Sequence, residues 1–134
     1  MANTAAQTKT RGQLQRVLSQ KVQKLYKNQI GHSPGKVTFQ IVDNTVTLIA
    51  EDSLTKLERL LIDGEKDTLT SVRVDVEQVR DDLDTAIRPL LIEALQEILE
   101  IEVVDILSDT TLETGRTAIV VVLSEAPNFN VNDL

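Results

Sequence analysis

The chain of 134 residues contains no cysteine and no tryptophan, and its aromatic residues are one tyrosine and two phenylalanines, Tyr26, Phe39 and Phe129. The absence of cysteine excludes disulfides, thiolate metal sites, iron–sulfur clusters and cysteine nucleophiles. So few aromatic rings are insufficient for a surface that stacks bases or sugars. No segment approaches the roughly 20 apolar residues of a membrane-spanning helix, and the first residues lack the apolar stretch of a secretory signal. We therefore expect a soluble cytoplasmic protein with no transmembrane segment.

Acidic residues are absent from the first 42 positions, which carry seven Lys or Arg residues. The remaining 92 positions hold all 21 Asp and Glu residues and the other seven basic ones, so the net charge of −7 divides into +7 and −14. Opposite charges divided in this way favour contact between surfaces, within the fold, between two copies or with another protein. The acidic net charge argues against non-specific coating of DNA.

The basic segment is predicted to form an amphipathic helix from Gln13 to about Gln29, because its apolar residues recur at three- and four-residue steps. Arg16, Lys24 and Lys27 fall on the polar face of this helix, and we expect them to contact a partner. Lys21 lies inside the apolar stripe, so its side chain must extend to the edge of the stripe or meet an acidic group.

A hairpin is predicted after the Gly/Pro loop at residues 31–35. Residues 37–41 and 45–48 alternate apolar and polar side chains around Asp43-Asn44, a pair that suits a two-residue turn. One register makes one face of the hairpin wholly apolar. Its pairs are Val42 with Thr45, Ile41 with Val46, Phe39 with Leu48 and Val37 with Ala50. The opposite face is expected to be hydrated or covered by a partner.

Two further helices are predicted. Ser53 is the expected N-cap of the first, and Gly64 ends it. Its expected apolar stripe is Leu54, Leu57, Leu61 and Ile62. The second helix covers residues 67–100, and Pro89 should kink or divide it near residues 85–88, because proline lacks the amide hydrogen.

The long helix is expected to have an apolar seam and an acidic outer face. The seam consists of Leu69, Val72, Val76, Val79 and Leu83. The acidic face consists of Asp75, Glu77, Asp81, Asp82 and Asp84. This face is either solvated or a docking surface for the basic helix, within one chain or across a dimer.

Residues 101–107 and 117–123 are predicted strands, and the second is apolar at every position from Ala118 to Leu123, which indicates a central strand buried on both faces. We expect an α+β domain over residues 13–123, ordered α-β-β-α-α-β-β, with a four-stranded antiparallel sheet and helices mainly on one face. Residues 1–12 are predicted to be a flexible arm and residues 124–134 a flexible tail. The seam and the partly apolar second sheet face favour a homodimer.

Four short motifs occur in a characteristic order along this domain. They are Gly31-His32-Ser33-Pro34 followed by Val37, Leu54-Thr55 with Glu58, Arg88-Pro89, and Leu107-Ser108-Asp109 with Thr114-Gly115. This order resembles the MpsC-like family of small bacterial proteins, named for a sodium-translocating membrane-potential-generating system. The family often has Thr-Gly after the long helix, where this chain has Leu99-Glu100-Ile101.

The resemblance implies a link to membrane ion or inorganic-carbon transport, and it implies no catalytic residues. It marks eight positions whose role is unknown. These are Gly31, Pro34, Thr55, Glu58, Arg88, Ser108, Asp109 and Gly115. From its place in the last loop, Gly115 is expected to adopt a positive φ.

Three groups of residues could carry chemistry. His32 is the only histidine, so a metal site there would lack further His or Cys ligands, and an ordinary loop residue is favoured. The oxygens of residues 109–114 could hold a cation, but their spacing matches no calcium loop and favours a solvated connection. Arg88 is expected to pair with Glu93 or Asp84, the alternative being an anion site at the helix break.

These observations predict a non-enzymatic accessory or regulatory protein that acts by binding, with no cofactor, no metal and no catalytic residue. The alternatives are a nucleic-acid-linked regulator that uses the basic helix, and an enzyme or sensor that binds a small anion near His32 and Arg88. The first of these functions requires a protein partner, and the resemblance favours one that is associated with a membrane.

Overall fold

The computed structural model describes residues 9–64 and 70–129, and from 70 to 74 the backbone only. The predicted seam positions Leu69 and Val72 therefore lie outside the described side chains. Within the described residues, three helices and four strands follow one another in the predicted order α-β-β-α-α-β-β. They are α1 (Arg11–Ile30), β1 (Lys36–Val42), β2 (Thr45–Glu51), α2 (Lys56–Gly64), α3 (Thr70–Leu99), β3 (Val103–Thr111) and β4 (Arg116–Leu123).

The four strands form one antiparallel sheet with the order β1-β2-β4-β3. The predicted hairpin register is confirmed, since Val42 lies opposite Thr45 and Phe39 lies opposite Leu48. Asp43 takes a positive φ of 52° in the turn, a conformation that Asp tolerates better than most residues. The register places Phe39, Ile41, Val46, Leu48 and Ala50 on one face, toward the core, whereas Val42 on the other face is 65% exposed.

The helices α1 and α3 pack beside each other on that face of the sheet. Buried side chains from both helices and from three strands form the main core, which includes Leu14, Leu18, Val22, Tyr26, Phe39, Leu48, Leu91 and Ile119. The strand β4 lies inside the sheet as predicted, but the prediction that both its faces are buried is wrong. Ile119 and Val121 are buried, whereas Val120 is 36% exposed, because the helices cover only one side of the sheet.

The helix α3 is continuous from Thr70 to Leu99 and is not divided at Pro89. Its buried stripe differs from the predicted seam after Val76. Val79 is 52% exposed, and the inward positions are instead Arg80 and Asp84, followed by Ile87. The apolar periodicity missed this stripe because two of its members are charged.

The short helix α2 is also oriented differently from its apolar pattern. Leu54 before it is buried as predicted, but Leu57 and Leu61 are exposed, and Glu58 points inward with 4% exposure. The physical reason is the charged partner that α3 offers to Glu58, described below.

Candidate functional site

A buried ionic network centred on Arg80 joins α2, α3 and the sheet. Arg80 is 1% exposed, and its Nη1 donates to Glu58 Oε1 at 3.2 Å and to the carbonyl of Ser53 at 3.1 Å. Its Nε lies 3.1 Å from Asp84 Oδ1, one helical turn away. A buried guanidinium is stable only when such groups replace its water shell. The network therefore holds the start of α2 against α3.

The N-terminal turn of α2 aims Glu58 at this guanidinium. The amide and the hydroxyl of Thr55 each donate to Glu58 Oε1 at 2.9 Å, and the amide of Glu58 donates to Thr55 Oγ1 at 3.2 Å. This reciprocal capping arrangement satisfies two free amides of the helix end. The predicted N-cap Ser53 is wrong, since Thr55 caps the helix.

Ser53 instead connects α2 to the turn between β3 and β4. Its amide and hydroxyl both donate to the carbonyl of Gly115, at 2.9 and 3.0 Å. Gly115 has the predicted positive φ, at 69°. A residue with a side chain would be strained in this conformation, so the glycine presents its carbonyl to Ser53 at little cost.

Asp84 occupies the other side of the network and is 3% exposed, so its predicted place on the acidic outer face is wrong. The hydroxyl of Thr110 donates to Asp84 Oδ2 at 2.6 Å. Thr110 and Ser53 also hydrogen-bond to the hydroxyl of Thr117, which completes a buried chain of hydroxyls. Burial raises the pKa of Asp84, although Arg80 and the Thr110 hydrogen bond act in the opposite direction.

Several polar atoms of this region have no hydrogen-bond partner among the described residues, namely Glu58 Oε2, Arg80 Nη2 and Tyr26 OH. The Arg80–Asp84 pair is close enough for ionic attraction, but its atoms are not aligned for a hydrogen bond. Burial, and to a lesser extent the charge of Asp84, raises the pKa of Tyr26 to about 12, so its hydroxyl stays protonated near neutral pH. These side chains are buried, and Arg80 also lines an adjoining recess of about 270 Å³ together with Glu77 and Asp109.

The other family-motif positions also make contacts inside the fold. Arg88 Nε donates to the hydroxyl of Ser108 at 2.8 Å and Nη2 donates to its carbonyl at 3.2 Å, so the predicted pairing of Arg88 with Glu93 or Asp84 is wrong. Pro34 is buried, and Gly31 ends α1 with a φ of 84°. Asp109 is exposed and accepts a hydrogen bond from the amide of Thr110.

The predicted ligand-binding residues His32 and Arg88 have separate partners. His32 Nε2 lies 2.7 Å from the carbonyl of Asp52, whereas Arg88 is bound to Ser108. Among the residues that the structure describes, no three His, Asp or Glu side chains are placed to hold a metal ion. None of the described helices is both long enough and apolar enough to cross a bilayer.

An open groove of about 720 Å³ lies between α1 and the C-terminal half of α3, and we call it the lysine groove. It is lined by Val17, Gln20, Lys21, Gln23, Lys24, Lys27, Ser33, Glu97 and Ile98. Lys21 is exposed, in agreement with a side chain that extends to the edge of the apolar stripe. Lys27 Nζ donates to the carbonyl of Gly31 at 3.4 Å.

Two of the three predicted partner-binding residues, Lys24 and Lys27, thus share one groove. The third, Arg16, is exposed but lies beside Lys9 and Gln13 near the start of α1. The predicted place of Arg16, Lys24 and Lys27 on the polar face of α1 is therefore confirmed, their contact with a partner stays a prediction, and the sequence analysis missed the Arg80 network. The signal available for Arg80 and Asp84 was an opposite-charge pair four residues apart, in phase with Val76 and Ile87.

A comparison with models of protein families confirms the family resemblance that the motifs indicated. The model described as "MpsC: Na+-translocating membrane potential-generating system (MpsC)" matches residues 10–125, from the N-cap of α1 to just beyond β4. No curated protein and no solved structure matches the chain. Because the match covers nearly the whole described fold, the chain belongs to the MpsC family.

Proposed function

We propose that the protein is a non-enzymatic, cytoplasmic accessory component of a membrane ion-transport system, and that it acts by binding an acidic protein surface in the lysine groove. The observation that carries this proposal is the groove itself. Three lysines lie around a floor that includes Val17 and Ile98. Such a surface fits an acidic helix with an apolar side chain better than it fits a small molecule, which needs an enclosed pocket.

The arrangement of the remaining polar residues supports a binding role. The buried side chain of Arg80 forms ion pairs with Glu58 and Asp84, and Arg88 donates a hydrogen bond to Ser108. A catalytic group has to reach the substrate and to have a pKa suited to proton transfer. The lysines of the groove and the exposed acids of α3 lie instead on helix surfaces, where charges steer association and select partners.

The family description supports the context of the proposal, because it names a system that translocates Na⁺ and generates a membrane potential. The proposal also includes self-association to a homodimer, for which the next subsection gives an interface. A nucleic-acid partner is less well supported, since Tyr26 and Phe39 are buried and provide no stacking platform.

The test is capture of partners from the membrane and soluble fractions of the parent cell. The bait is the full chain, its Lys24→Glu/Lys27→Glu variant, or a matched Lys36→Glu/Lys56→Glu control with the same change in charge at other exposed sites. We expect the wild type and the control to retain a component of a membrane ion-transport system, and the groove variant to lose it.

Circular dichroism checks that each variant is folded. Equal capture by the groove variant and the control would contradict the proposal. Captured material that nuclease removes would favour the nucleic-acid alternative instead.

A further inference from the structure

We propose that the lysine groove of one copy receives the acidic N-terminal half of α3 from a second copy, and that a twofold axis repeats the contact to give a homodimer. This inference rests on the proposed function, because it uses the same groove, for which the second copy and the transport-system partner would compete. The surface that would enter the groove consists of Asp75, Gln78, Val79 and Asp82, and we call it the acidic face.

The acidic face has the charge and the apolar content that the groove requires. Asp75, Val79 and Asp82 are separated by four and three residues, so they lie on one side of α3. All three are exposed, and Val79 is 52% exposed between the two carboxylates. Gln78 Nε2 donates to Asp82 Oδ1 at 3.0 Å and holds that carboxylate on the surface.

The groove offers the complementary pattern. Lys21 and Lys24 are four and seven residues after Val17, so the three side chains lie along one side of α1. The three lysines of the groove outnumber its single acid, Glu97, which leaves a net charge of +2. Glu93 in the adjoining recess offsets part of this charge. Carboxylates from outside would complete the pairing, and an exposed valine would meet the apolar floor.

The groove cannot be filled by the acidic face of its own chain. Asp82 and Glu97 are 15 residues apart on one continuous helix, which is about 22 Å along its axis. The positions Val79, Ala86, Leu90 and Glu97 recur at intervals of seven, four and seven, so the acidic face and the groove lie on the same side of α3. They are at opposite ends of that side.

An antiparallel arrangement of two α3 helices brings the acidic face of each copy to the lysine groove of the other at the same time. When the twofold axis passes near Leu90, midway between Asp82 and Glu97, each acidic face lies level with the groove of the other copy, where the three lysines of α1 outweigh the like charge of Glu97. Ala86 is exposed and Leu90 is half-buried, so the centre of this contact is apolar. Twofold interfaces of this kind are self-complementary, because each contact occurs twice.

A charge-exchange experiment tests the interface with the full chain. The groove variant is Lys24→Glu/Lys27→Glu, and the face variant is Asp75→Lys/Asp82→Lys. Analytical ultracentrifugation at low salt should show a wild-type dimer, which dissociates as the salt concentration rises. Each variant alone should dimerise at least about tenfold more weakly, since its groove and face then carry like charges.

An equimolar mixture of the two variants should regain the dimer. The reversed groove then meets the reversed face, and the unchanged groove meets the unchanged face, so both contacts are attractive. A wild-type monomer at low salt, or a mixture that stays monomeric while both variants are folded, would overturn the inference.

Cross-linking provides a second measurement, because the chain has no cysteine of its own. A Lys24→Cys/Asp82→Cys variant should form a disulfide-linked dimer under mild oxidation. A Lys36→Cys/Asp82→Cys control should not. Equal cross-linking of both variants would contradict the inference.

The outcomes separate this inference from the proposed function. If the protein is a monomer but the groove variant still loses its captured partner, the dimer is refuted and the accessory function stands. If the mixed variants dimerise while capture does not depend on groove charge, the dimer stands and the proposed function fails.

Discussion

Replacing Arg80 by methionine tests whether the buried network holds the fold together. Methionine preserves most of the volume, so the change removes charge without opening a large cavity. It leaves Glu58 and Asp84 without their cation, although they are only 4% and 3% exposed. Removing one partner of a buried ion pair costs roughly 3–5 kcal/mol, because the remaining charge is desolvated and uncompensated.

The expected loss is large for a domain of this size, whose free energy of unfolding is typically about 5–15 kcal/mol. With a urea dependence of about 2 kcal/mol per molar, a loss of ~4 kcal/mol lowers the unfolding midpoint by about 2 M. Urea titration followed by circular dichroism measures this shift. Fluorescence of Tyr26, the only tyrosine, reports on the same region.

The control is Arg116→Met, which removes an exposed pair with Glu51 at 3.1 Å. The side chains of both residues are roughly half exposed, so the loss of this pair should cost less than about 1 kcal/mol. A second comparison is the uncharged triple variant Glu58→Gln/Arg80→Met/Asp84→Asn, which should recover about half of the lost stability. Arg80→Met and Arg116→Met with equal costs, or a triple variant no more stable than Arg80→Met, would refute the argument.

Three further predictions follow from buried contacts. Burial raises the pKa of Asp84 above its ordinary value of 3.8, so the folded state binds this proton more readily than the unfolded state does. The stability of the wild type relative to Asp84→Asn should therefore fall as pH rises from about 4 through the raised pKa. Paired urea titrations that gave the opposite slope would contradict this prediction. Thr55→Ala removes the cap of α2 and should cost about 1 kcal/mol in the same assay, and an unchanged midpoint would argue against the cap. Leu48→Ala, at a position 2% exposed, should cost about 2–5 kcal/mol, whereas Leu107→Ala, at 56% exposed, should cost well under half as much; similar costs would show that the open sheet face is covered.

Much of the fold could be predicted from local patterns, because alternation and periodicity report which side of an element is buried. The β1–β2 register is the clearest case, since only one pairing aligns Phe39 with Leu48 and also places Asp43 in the turn. The helices α1 and α3 were likewise evident from their three- and four-residue spacing.

The Arg80 network could not be predicted in the same way, because burial of a charge depends on partners distant in sequence. Glu58 and Arg80 are 22 residues apart, and Thr110 follows Asp84 by 26. A pattern that treats charge as exposed therefore assigned Asp84 to the surface. It also assigned Leu57 to the buried side of α2, although Glu58 is the residue that lies on that side and binds Arg80.

The positions that identify the family therefore explain the architecture more than they explain a reaction. Thr55 and Glu58 fix the start of α2, Ser108 receives Arg88, and Gly115 offers its carbonyl to Ser53. The contacts of Ser108 and Gly115 join a helix or its entry to the β3–β4 side of the sheet, and Glu58 joins α2 to α3 through Arg80, so these short motifs connect parts that are far apart in the chain. The exposed charges on the outer sides of α1 and α3 are mostly basic and mostly acidic, respectively, whereas the open sheet face exposes apolar residues such as Leu107. Binding through these helices is consistent with a sequence whose acidic and basic residues are so unevenly distributed.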